Sequence, residues 1–577
     1  MGQAVGLALV YHALSVLQRG KTPVKSVLRN NVHLLKVFFF ALTSQFALVV
    51  DNAALAHGLI DADSAACAGL EGRRLGNSSI AAATFVRPPY YTRSMNSSFT
   101  VTVVTPFCRL EAEANPVSRS HIVFEVWLPM RANWNGRFLG VGAGGSMGAV
   151  NTNGLADGVN RGFASVATDN GHRSPGPRDG NEWALGERER IIDFGHRANH
   201  FMTQAGEAIV QAYYGRHAQF AYYVGCSQGG TKGMMEAQRY PNDYDGILAG
   251  APVYSWVNEM TQQAWNVRAL TETPHSALTV EQLQSLQDAA VKRCGGPNGL
   301  IADPRQCDFE PAQLECPQPD GKTCLSPEQV TAVRKIYAGP HTSDGKPIFP
   351  GMARGGERGW EQIYLTVRAD GSAGGGSWYG VYRYMVFDDP GWTLPQLNFD
   401  RDPAYAKRKI GPLLDPDGTD LDAFAKHGGK LISYHGWADQ QVPPQSTIDY
   451  HAAVVARGSR ERVDQYYRLF MVPGMAHCRE ETVPSSAPAS RGPNLGFQTE
   501  YEPGVAFTPE NDALTALQQW VEDGRAPTQF VVRVRNDAAG ITPRTVRACA
   551  EPAQAEYRGV GDPLDAANWE CRDPVGR

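Results

Sequence analysis

Short apolar runs alternate with helically spaced segments through much of this chain. Residues 121–129 (HIVFEVWLP) alternate and are rich in β-branched and aromatic side chains, which predicts a strand. Residues 201–215 have apolar positions at helical spacing and end in a glycine, which predicts a helix. Similar patterns predict strands within 137–148, 162–172, 220–230, 244–252, 430–444, 467–478 and 530–534, and helices near 231–241, 446–457 and 511–523. Such alternation indicates an α/β fold with a mostly parallel sheet and helices on both faces.

The regular alternation stops between residues 255 and 425. This stretch carries four cysteines, many turn signals and the aromatic segment 376–392 (GSWYGVYRYMVFDDPGW). We interpret 255–425 as an inserted lid domain, with 57–254 and 426–577 forming the two parts of one core.

The first 56 residues differ from the rest of the chain. A basic run precedes the apolar segment 37–50 (VFFFALTSQFALVV), and the small residues of ALA (54–56) follow. This order is typical of an export signal, which predicts cleavage near Ala56 and a secreted or periplasmic protein. An uncleaved membrane anchor is the alternative, but the apolar run is short for a span.

Charge and cysteine content indicate which partners are unfavourable and whether the chain forms disulfides. Residues 1–56 hold five of the 54 basic and one of the 59 acidic side chains, so the mature chain has a net charge of −9. That balance argues against nucleic acid or an anionic membrane as a partner. All ten cysteines lie in the mature part, and an even count in an exported chain predicts disulfides. Zinc-type spacings are absent from the sequence.

The segment 225–230 (GCSQGG) contains a G-x-S-x-G motif between a predicted strand and a predicted helix. In a nucleophile elbow, this sharp turn exposes a serine above the sheet edge, and the flanking glycines avoid collisions with neighbouring backbone. The motif therefore predicts Ser227 as a nucleophile. A serine in a tight structural turn is the alternative.

A serine nucleophile needs a base and an orienting carboxylate, which follow in the order acid, then histidine, in this class of fold. Asp439 and His477 each follow a predicted core strand. Asp449 is a rival for the acid, but it lies on the predicted helix that follows. His435 is better suited to line the pocket. Upstream histidines are interpreted as ordinary polar residues: His172, His196 and His200.

Two backbone amides are expected to hold the oxyanion. Gln228 supplies one as the residue after the nucleophile, and Gly144 in the loop 142–148 (GAGGSMG) is predicted to supply the other. A phosphate-binding loop is the rival interpretation, but the Lys-Ser/Thr ending of a P-loop is missing.

Cysteines adjoin both members of the predicted catalytic pair. Cys226 precedes Ser227 and Cys478 follows His477, so the two thiols must be neighbours if serine and histidine meet. A 226–478 disulfide would then join the two loops. A reactive free thiol is the alternative, which leaves one of the other nine cysteines unpaired.

The motifs GCSQGG, YHGWADQQVPP (434–444) and GMAHC (474–478) resemble those of the tannase and feruloyl esterase family, which also includes mono(2-hydroxyethyl) terephthalate hydrolases. The resemblance extends over nearly the whole mature chain. It implies an α/β-hydrolase core, the triad Ser227, Asp439 and His477, and a pocket-lining His435. It also implies the disulfide 226–478 and four further pairs: Cys67–Cys108, Cys294–Cys307, Cys316–Cys324 and Cys549–Cys571.

The chain departs from the family at the lid calcium loop. Relatives often carry an aspartate-rich loop, whereas residues 294–307 read CGGPNGLIADPRQC. Calcium prefers several carboxylates. Asn298 and Asp303 could hold at most a weak ion, so we expect this site to be lost and no cofactor to be needed.

These features predict a secreted serine carboxylesterase acting on small esters of hydroxycinnamic or gallic acids. Trp378 and Trp392 in the lid are candidates for stacking on the acyl ring. A terephthalate monoester hydrolase is the alternative within the family, and Arg383 is the lid arginine that could serve one. From other classes, a non-catalytic polyphenol binder needs a broken triad, and a lipase should have a more aliphatic lid.

Overall fold

The computed structural model describes residues 58–93, 100–174, 180–317, 321–361, 377–478, 490–494, 507–536 and 544–573. The proposed export signal, 1–56, lies outside these residues. The chain divides into the units Met1–Ala65 and Ala66–Arg577. Residues 58–65 of the first unit are helical. The second unit holds all elements described below.

A ten-stranded mixed sheet forms the centre of the second unit, in the order β1-β2-β5-β6-β8-β7-β9-β10-β11-β12. A separate hairpin consists of β3 and β4. The strands are β1 Arg74–Leu75, β2 Ser78–Val86, β3 Tyr90–Arg93, β4 Thr100–Val103, β5 Phe107–Ala114, β6 Ile122–Pro129, β7 Arg137–Val141, β8 Ala164–Thr168, β9 Phe220–Cys226, β10 Gly246–Gly250, β11 Lys430–Gly436 and β12 Tyr467–Val472.

The sheet contains more antiparallel pairing than the sequence predicted. Neighbouring strands from β8 through β7 to β12 are parallel, whereas β1, β2, β5, β6 and β8 pair antiparallel. The link from β5 to β6 is a short turn, and a parallel pair would need a crossover of a dozen or more residues.

Helices cover both faces of the sheet. From residue 152 onward in the second unit, the described α-helices of six or more residues are α1 Thr152–Asn160, α2 Ala198–Tyr214, α3 Gln228–Arg239, α4 Trp256–Thr271, α5 Val280–Cys294, α6 Pro327–Ala338, α7 Asp402–Leu414, α8 Asp422–His427, α9 Pro444–Arg457 and α10 Ala513–Asp523. One apolar cluster joins the sheet to α2, α3 and α9. A second cluster joins it to α1 and α10.

The insertion between β10 and β11 has an apolar core of its own. Helices α4 to α7 and a π-helical turn, Val381–Val386, surround buried residues that include Trp360, Tyr382 and Trp392. The chain is therefore an α/β-hydrolase core with a large inserted lid.

The strand predicted at 530–534 to close the core is present, but it lies in a separate sheet and not in the central one. This separate sheet consists of β13 Ser490–Asn494, β14 Gln529–Asn536, which contains the predicted strand, and β15 Arg544–Cys549, while β16 Gln554–Tyr557 pairs with β17 Trp569–Arg572. Phe530 of β14 packs on Phe470 of β12 with ring centroids 4.5 Å apart. β14 thus packs through a side chain against the sheet instead of extending its edge.

Five disulfides connect the ten cysteines, in the pairs that the family resemblance implied. Two lie within the lid, Cys294–Cys307 and Cys316–Cys324. Within the residues described here, no helix is both long enough and apolar enough to cross a bilayer.

Candidate active site

Ser227 occupies the sharp turn between β9 and α3. Its backbone has φ 59° and ψ −127°, a strained conformation for a residue with a side chain. The Ser227 amide donates to the carbonyl of Gly250 at the end of β10, at 2.9 Å. A nucleophile elbow has this geometry: a serine with a strained backbone, at a sharp strand-to-helix turn.

The glycines of the motif are required by close backbone contacts. A Cβ on Gly225 would lie 2.4 Å from the carbonyl oxygen of Gly229, and one on Gly230 would lie 2.5 Å from that of Gly250. Any larger residue would push α3 away from β9 and β10. These close contacts are the steric reason why the motif has glycine at both positions.

Asp439 and His477 lie together on the loops that follow β11 and β12. His477 Nδ1 donates to Asp439 Oδ2 at 2.8 Å, and both residues are buried. The two loops are also joined by their backbones, since the Ala438 amide donates to the Met475 carbonyl at 2.9 Å. This contact through Nδ1 orients the imidazole ring and so fixes the position of its second nitrogen, Nε2.

The Cys226–Cys478 disulfide joins the serine turn to the histidine loop. It links residues 252 positions apart, and their Cα atoms are 5.8 Å from each other. Because each cysteine is the direct neighbour of Ser227 or His477, the bond fixes those two residues on adjacent backbone. The structure thus brings together the three residues predicted as a triad.

The glycine-rich loop after β7 lies beside the serine. A Cβ on Gly144 would lie 3.9 Å from the Cβ of Ser227. Side chains hold carbonyls of this loop: Asn151 donates to Gly142 and Asn170 to Met147, each at 2.8 Å. Anchored carbonyls leave the loop amides in a fixed orientation next to the first turn of α3, whose initial N–H groups have no intrahelical acceptor.

The sequence profile described as "Tannase: Tannase and feruloyl esterase" matches residues 108–572. The chain belongs to the tannase and feruloyl esterase family. It is a carboxylic ester hydrolase.

Named proteins that are similar to this chain in sequence and in structure are also esterases. An uncharacterized esterase of Xanthomonas campestris pv. campestris is 33% identical over 543 residues, which cover 88% of this chain and 92% of the relative. A probable feruloyl esterase B-1 of Aspergillus oryzae is 30% identical over 485 residues, covering 82% and 85%. The crystal structure of feruloyl esterase B from Aspergillus oryzae superposes with a TM-score of 0.76 at 28% identity, covering 88% of this chain and all of that one.

His435 has a different place from the one predicted. It is fully buried, and its Nε2 donates to Asp439 Oδ2 at 3.0 Å, while its Nδ1 lies 2.7 Å from the hydroxyl of Thr447. A side chain enclosed behind the acid does not line a pocket. In this family member, His435 instead supplies a second imidazole N–H to the carboxylate that holds His477.

Four donors stabilise the charge of Asp439. Oδ2 accepts from both imidazoles, and Oδ1 accepts from the amides of Gln441 and Val442 at 2.7 and 2.9 Å. Burial alone would raise the pKa of Asp439, but the charge of His477 and the hydrogen bonds outweigh burial. The pKa is held well below its ordinary value near 3.8, so the carboxylate stays ionised.

This depressed pKa predicts a specific acid sensitivity. An unfolded aspartate takes up a proton near pH 3.9, whereas folded Asp439 remains ionised there. The stability from the ionised carboxylate is therefore complete above that pH and is lost as pH falls towards the folded pKa. We expect the difference in unfolding free energy between wild type and Asp439→Asn to shrink by about 1 kcal/mol from pH 5 to pH 3 in urea titrations. A difference that stays constant over this range would contradict the assigned charge state.

Gln440 and Thr447 were missed by the sequence reasoning. The Gln440 side-chain oxygen accepts from the His477 amide at 3.0 Å, which orients the histidine loop. Thr447 orients His435 from the first turns of α9. Gln440 directly follows the predicted acid, and that adjacency was the available signal. Thr447 had no signal in the sequence because its role depends on the packing of α9 against β11.

The structure tests the predicted substrate stacking for one of the two lid tryptophans, Trp392. The side chain of Trp378 lies outside the described residues. Trp392 is only 4% exposed and packs against Tyr382 and Phe387, with ring centroids 5.5 Å apart in each pair. The prediction that Trp392 stacks on substrate is therefore not supported, because both neighbours belong to the lid core.

Arg383 and the residues of the shortened calcium loop already have protein partners. The Arg383 guanidinium donates to the Trp392 carbonyl at 3.0 and 3.1 Å and lies 4.2 Å from the Tyr379 ring centroid. Asp303 binds the Arg305 guanidinium through both oxygens, at 2.8 and 2.7 Å, and Asn298 accepts from the Leu300 amide. The loss of lid calcium remains a prediction.

Proposed function

We propose that this protein is an exported serine esterase that hydrolyses esters of aromatic acids through an acyl-enzyme. One observation carries the proposal: His477 is bound to Asp439 and fixed next to Ser227 by the Cys226–Cys478 disulfide. Serine, histidine and carboxylate in this relation define the acyl-transfer triad on many folds.

In the proposed first step, Ser227 Oγ attacks the ester carbonyl carbon and His477 Nε2 accepts the serine proton. Asp439 keeps the other ring nitrogen protonated and stabilises the imidazolium that forms. The amides of Gln228 and Gly144 bind the oxygen of the tetrahedral intermediate, where fixed donors are worth several kcal/mol. The C–O bond to the alcohol then breaks, and the alcohol leaves with the proton from His477.

In the second step, water attacks the acyl-serine ester. His477 takes a proton from the water and returns it to Ser227 as the aromatic acid leaves. The cycle consumes one water for each ester and changes no oxidation state. We therefore propose that the chemistry requires no cofactor.

Export is part of the proposal. Five disulfides are typical of proteins that mature in an oxidising compartment, and residues 1–56 have the pattern of an export signal. A secreted or periplasmic location would also place the enzyme where soluble aromatic esters arrive from outside the cell.

The proposed substrate class is neutral phenolic esters. A terephthalate monoester presents a carboxylate that prefers a bidentate arginine when desolvated. Arg383 is engaged with the Trp392 carbonyl and the Tyr379 ring, so its guanidinium would have to leave both to bind such a carboxylate. Ferulate-like and gallate-like acyl groups need no such cation.

We expect kcat/KM for methyl ferulate or methyl gallate to exceed that for mono(2-hydroxyethyl) terephthalate, measured under one condition. The Arg383→Met variant is the matched test, because it keeps an unbranched apolar stem and removes the charge. It should leave the ranking unchanged. A terephthalate monoester preferred by more than tenfold, with that preference lost in Arg383→Met, would overturn the assignment in favour of the terephthalate alternative.

A further inference from the structure

A second cluster of ionisable side chains lies away from the ester site. It consists of His200 on α2, Glu236 on α3 and Asp243 in the loop that leads into β10. One ligand atom from each residue lies within 4.8 Å of the other two. His200 Nδ1 and Asp243 Oδ2 are 2.6 Å apart. Imidazole and carboxylates so close together form a set of metal-ligand type.

Glu236 is the unusual member of this cluster. It is fully buried, and within the described part of the chain its carboxylate oxygens accept from no N–H group or hydroxyl, so that their polar neighbour is the acid Asp243. Burial, the nearby charge of Asp243 and a hydrogen bond between the two acids raise the pKa of Glu236. A buried carboxylate without donors is costly, so this pair of acids needs either a shared proton or a bound cation between them.

A buried lysine on α3 has its hydrogen bond elsewhere. Lys232 lies one helical turn before Glu236, but its ammonium donates to the Gly195 carbonyl at 3.3 Å and lies 4.1 Å from the Phe194 ring centroid. Burial lowers the pKa of Lys232 to about 7, which weakens it further as a permanent counter-ion. The charge of Lys232 opposes the rise in the pKa of Glu236 but does not cancel it.

The imidazole of His200 is already oriented. The Tyr240 ring stacks on it with centroids 3.9 Å apart and an interplanar angle of 8°. The Tyr240 hydroxyl is fixed in turn by His196 Nδ1 at 2.7 Å. The stacked Tyr240 ring therefore fixes the plane of the His200 imidazole before any ligand binds.

The cluster and the ester site occupy opposite edges of the sheet. Ser227 follows the carboxyl end of β9, whereas Asp243 precedes the amino end of β10. Asp245, two residues on, accepts from the Ala221 amide near the start of β9 at 2.8 Å. Nine residues of α3 separate Glu236 from Ser227, which is about 13 Å along the helix. A ligand here would not touch the ester.

We propose that His200, Glu236 and Asp243 bind one divalent transition-metal ion of the zinc class. A nitrogen and two carboxylate oxygens suit such an ion, with water as a further ligand. The His200 and Asp243 side chains are 18% and 14% exposed, which gives water and the ion access from one side. Calcium and magnesium favour all-oxygen ligand sets, so the imidazole selects against them.

The ion would have a structural role. It would connect α2 to α3 and to the loop before β10, and α3 is the helix whose first turn follows Ser227. Binding to the folded state alone raises stability in proportion to the logarithm of metal concentration over Kd. The expected readout is therefore thermal stability and metal content, while turnover of an ester at moderate temperature stays unchanged.

The test uses the full mature protein without a histidine tag, dialysed against dipicolinate and then against metal-free buffer. We expect added Zn²⁺ to bind with one equivalent by calorimetry and to raise Tm by at least about 2 °C. Mg²⁺ and Ca²⁺ should have no such effect. Absence of stoichiometric Zn²⁺ binding, or a response to Mg²⁺ or Ca²⁺ alone, would overturn the proposal.

Two variants assign the ion to these residues. Glu236→Gln has the same shape and His200→Asn removes the nitrogen ligand, and each should lose the Zn²⁺ response. Glu207→Gln removes a neighbouring carboxylate on α2 that is outside the cluster, and it should respond like wild type. If the acids share a proton instead, wild type and Glu236→Gln will show the same Tm with and without Zn²⁺, and the proposal fails.

Discussion

Ser227→Ala is expected to lower kcat for an aromatic ester by about three orders of magnitude or more, with Tm close to that of wild type. The substitution removes the attacking oxygen and leaves the turn, the disulfide and the packing of α3 intact. His477→Ala should lose a similar factor, and the double variant should lose little more, because residues of a triad act as one unit.

Two measurements test the roles of Ser227 as nucleophile and Asp439 as acid separately. A phosphonate ester of an aromatic alcohol should transfer its phosphonyl group to Ser227 Oγ and release the alcohol. The peptide containing Ser227 should then gain the mass of the phosphonyl group in wild type and not in Ser227→Ala. Asp449→Asn is the matched control for the acid, since Asp449 is exposed on α9 and accepts from the Gln445 side chain there. It should keep full activity where Asp439→Asn does not. An active Ser227→Ala enzyme would refute the triad, because a different nucleophile would then have to attack the ester.

The second large effect concerns the disulfide beside the serine. Replacing Cys226 and Cys478 together by alanine opens a covalent loop of 252 residues. The loop-entropy model assigns such a link about 5 kcal/mol, and the same change frees the histidine loop to move relative to the serine turn. We expect the double variant to lose Tm and kcat together.

The lid disulfide Cys316–Cys324 provides the control, because it closes a separation of only 8 residues. Its removal should cost about 2.5 kcal/mol by the same model and leave kcat unchanged. Labelling of a free thiol at Cys226 in the native, non-reduced protein would contradict the structural assignment. So would a 226/478 double variant that retains wild-type kcat.

Much of the core could be predicted because its signals are local. The strand β9, the turn at Ser227 and the helix α3 follow one another within twenty residues, and each has its own pattern in the sequence. The same holds for Asp439 after β11 and His477 after β12. Local patterns alone gave the order of these three segments along the chain. The family motifs then predicted that the segments form one catalytic triad.

The errors arise where partners come from distant parts of the chain. β14 has the alternation of a sheet strand, but local alternation does not determine which sheet the strand joins. His435 is four residues before Asp439, and only the packing of α9 determines that it points at the acid and Thr447. Trp392 belongs to an aromatic segment, and the lid core buries it against its own neighbours. None of these outcomes is encoded within a short window of sequence.

The position of the lid between two adjacent parallel strands also affects how the sheet can assemble. β10 pairs with β9 across a connection of about 20 residues, but it pairs with β11 across about 180. Ideal loop closure over the longer connection costs roughly 2 kcal/mol more in chain entropy. The lid has its own apolar core, with Trp360 and Tyr382 inside it. Collapse around that core shortens the effective connection, so an ordered lid lowers the entropic barrier to adding β11 and β12, the strands that bring Asp439 and His477 to the serine.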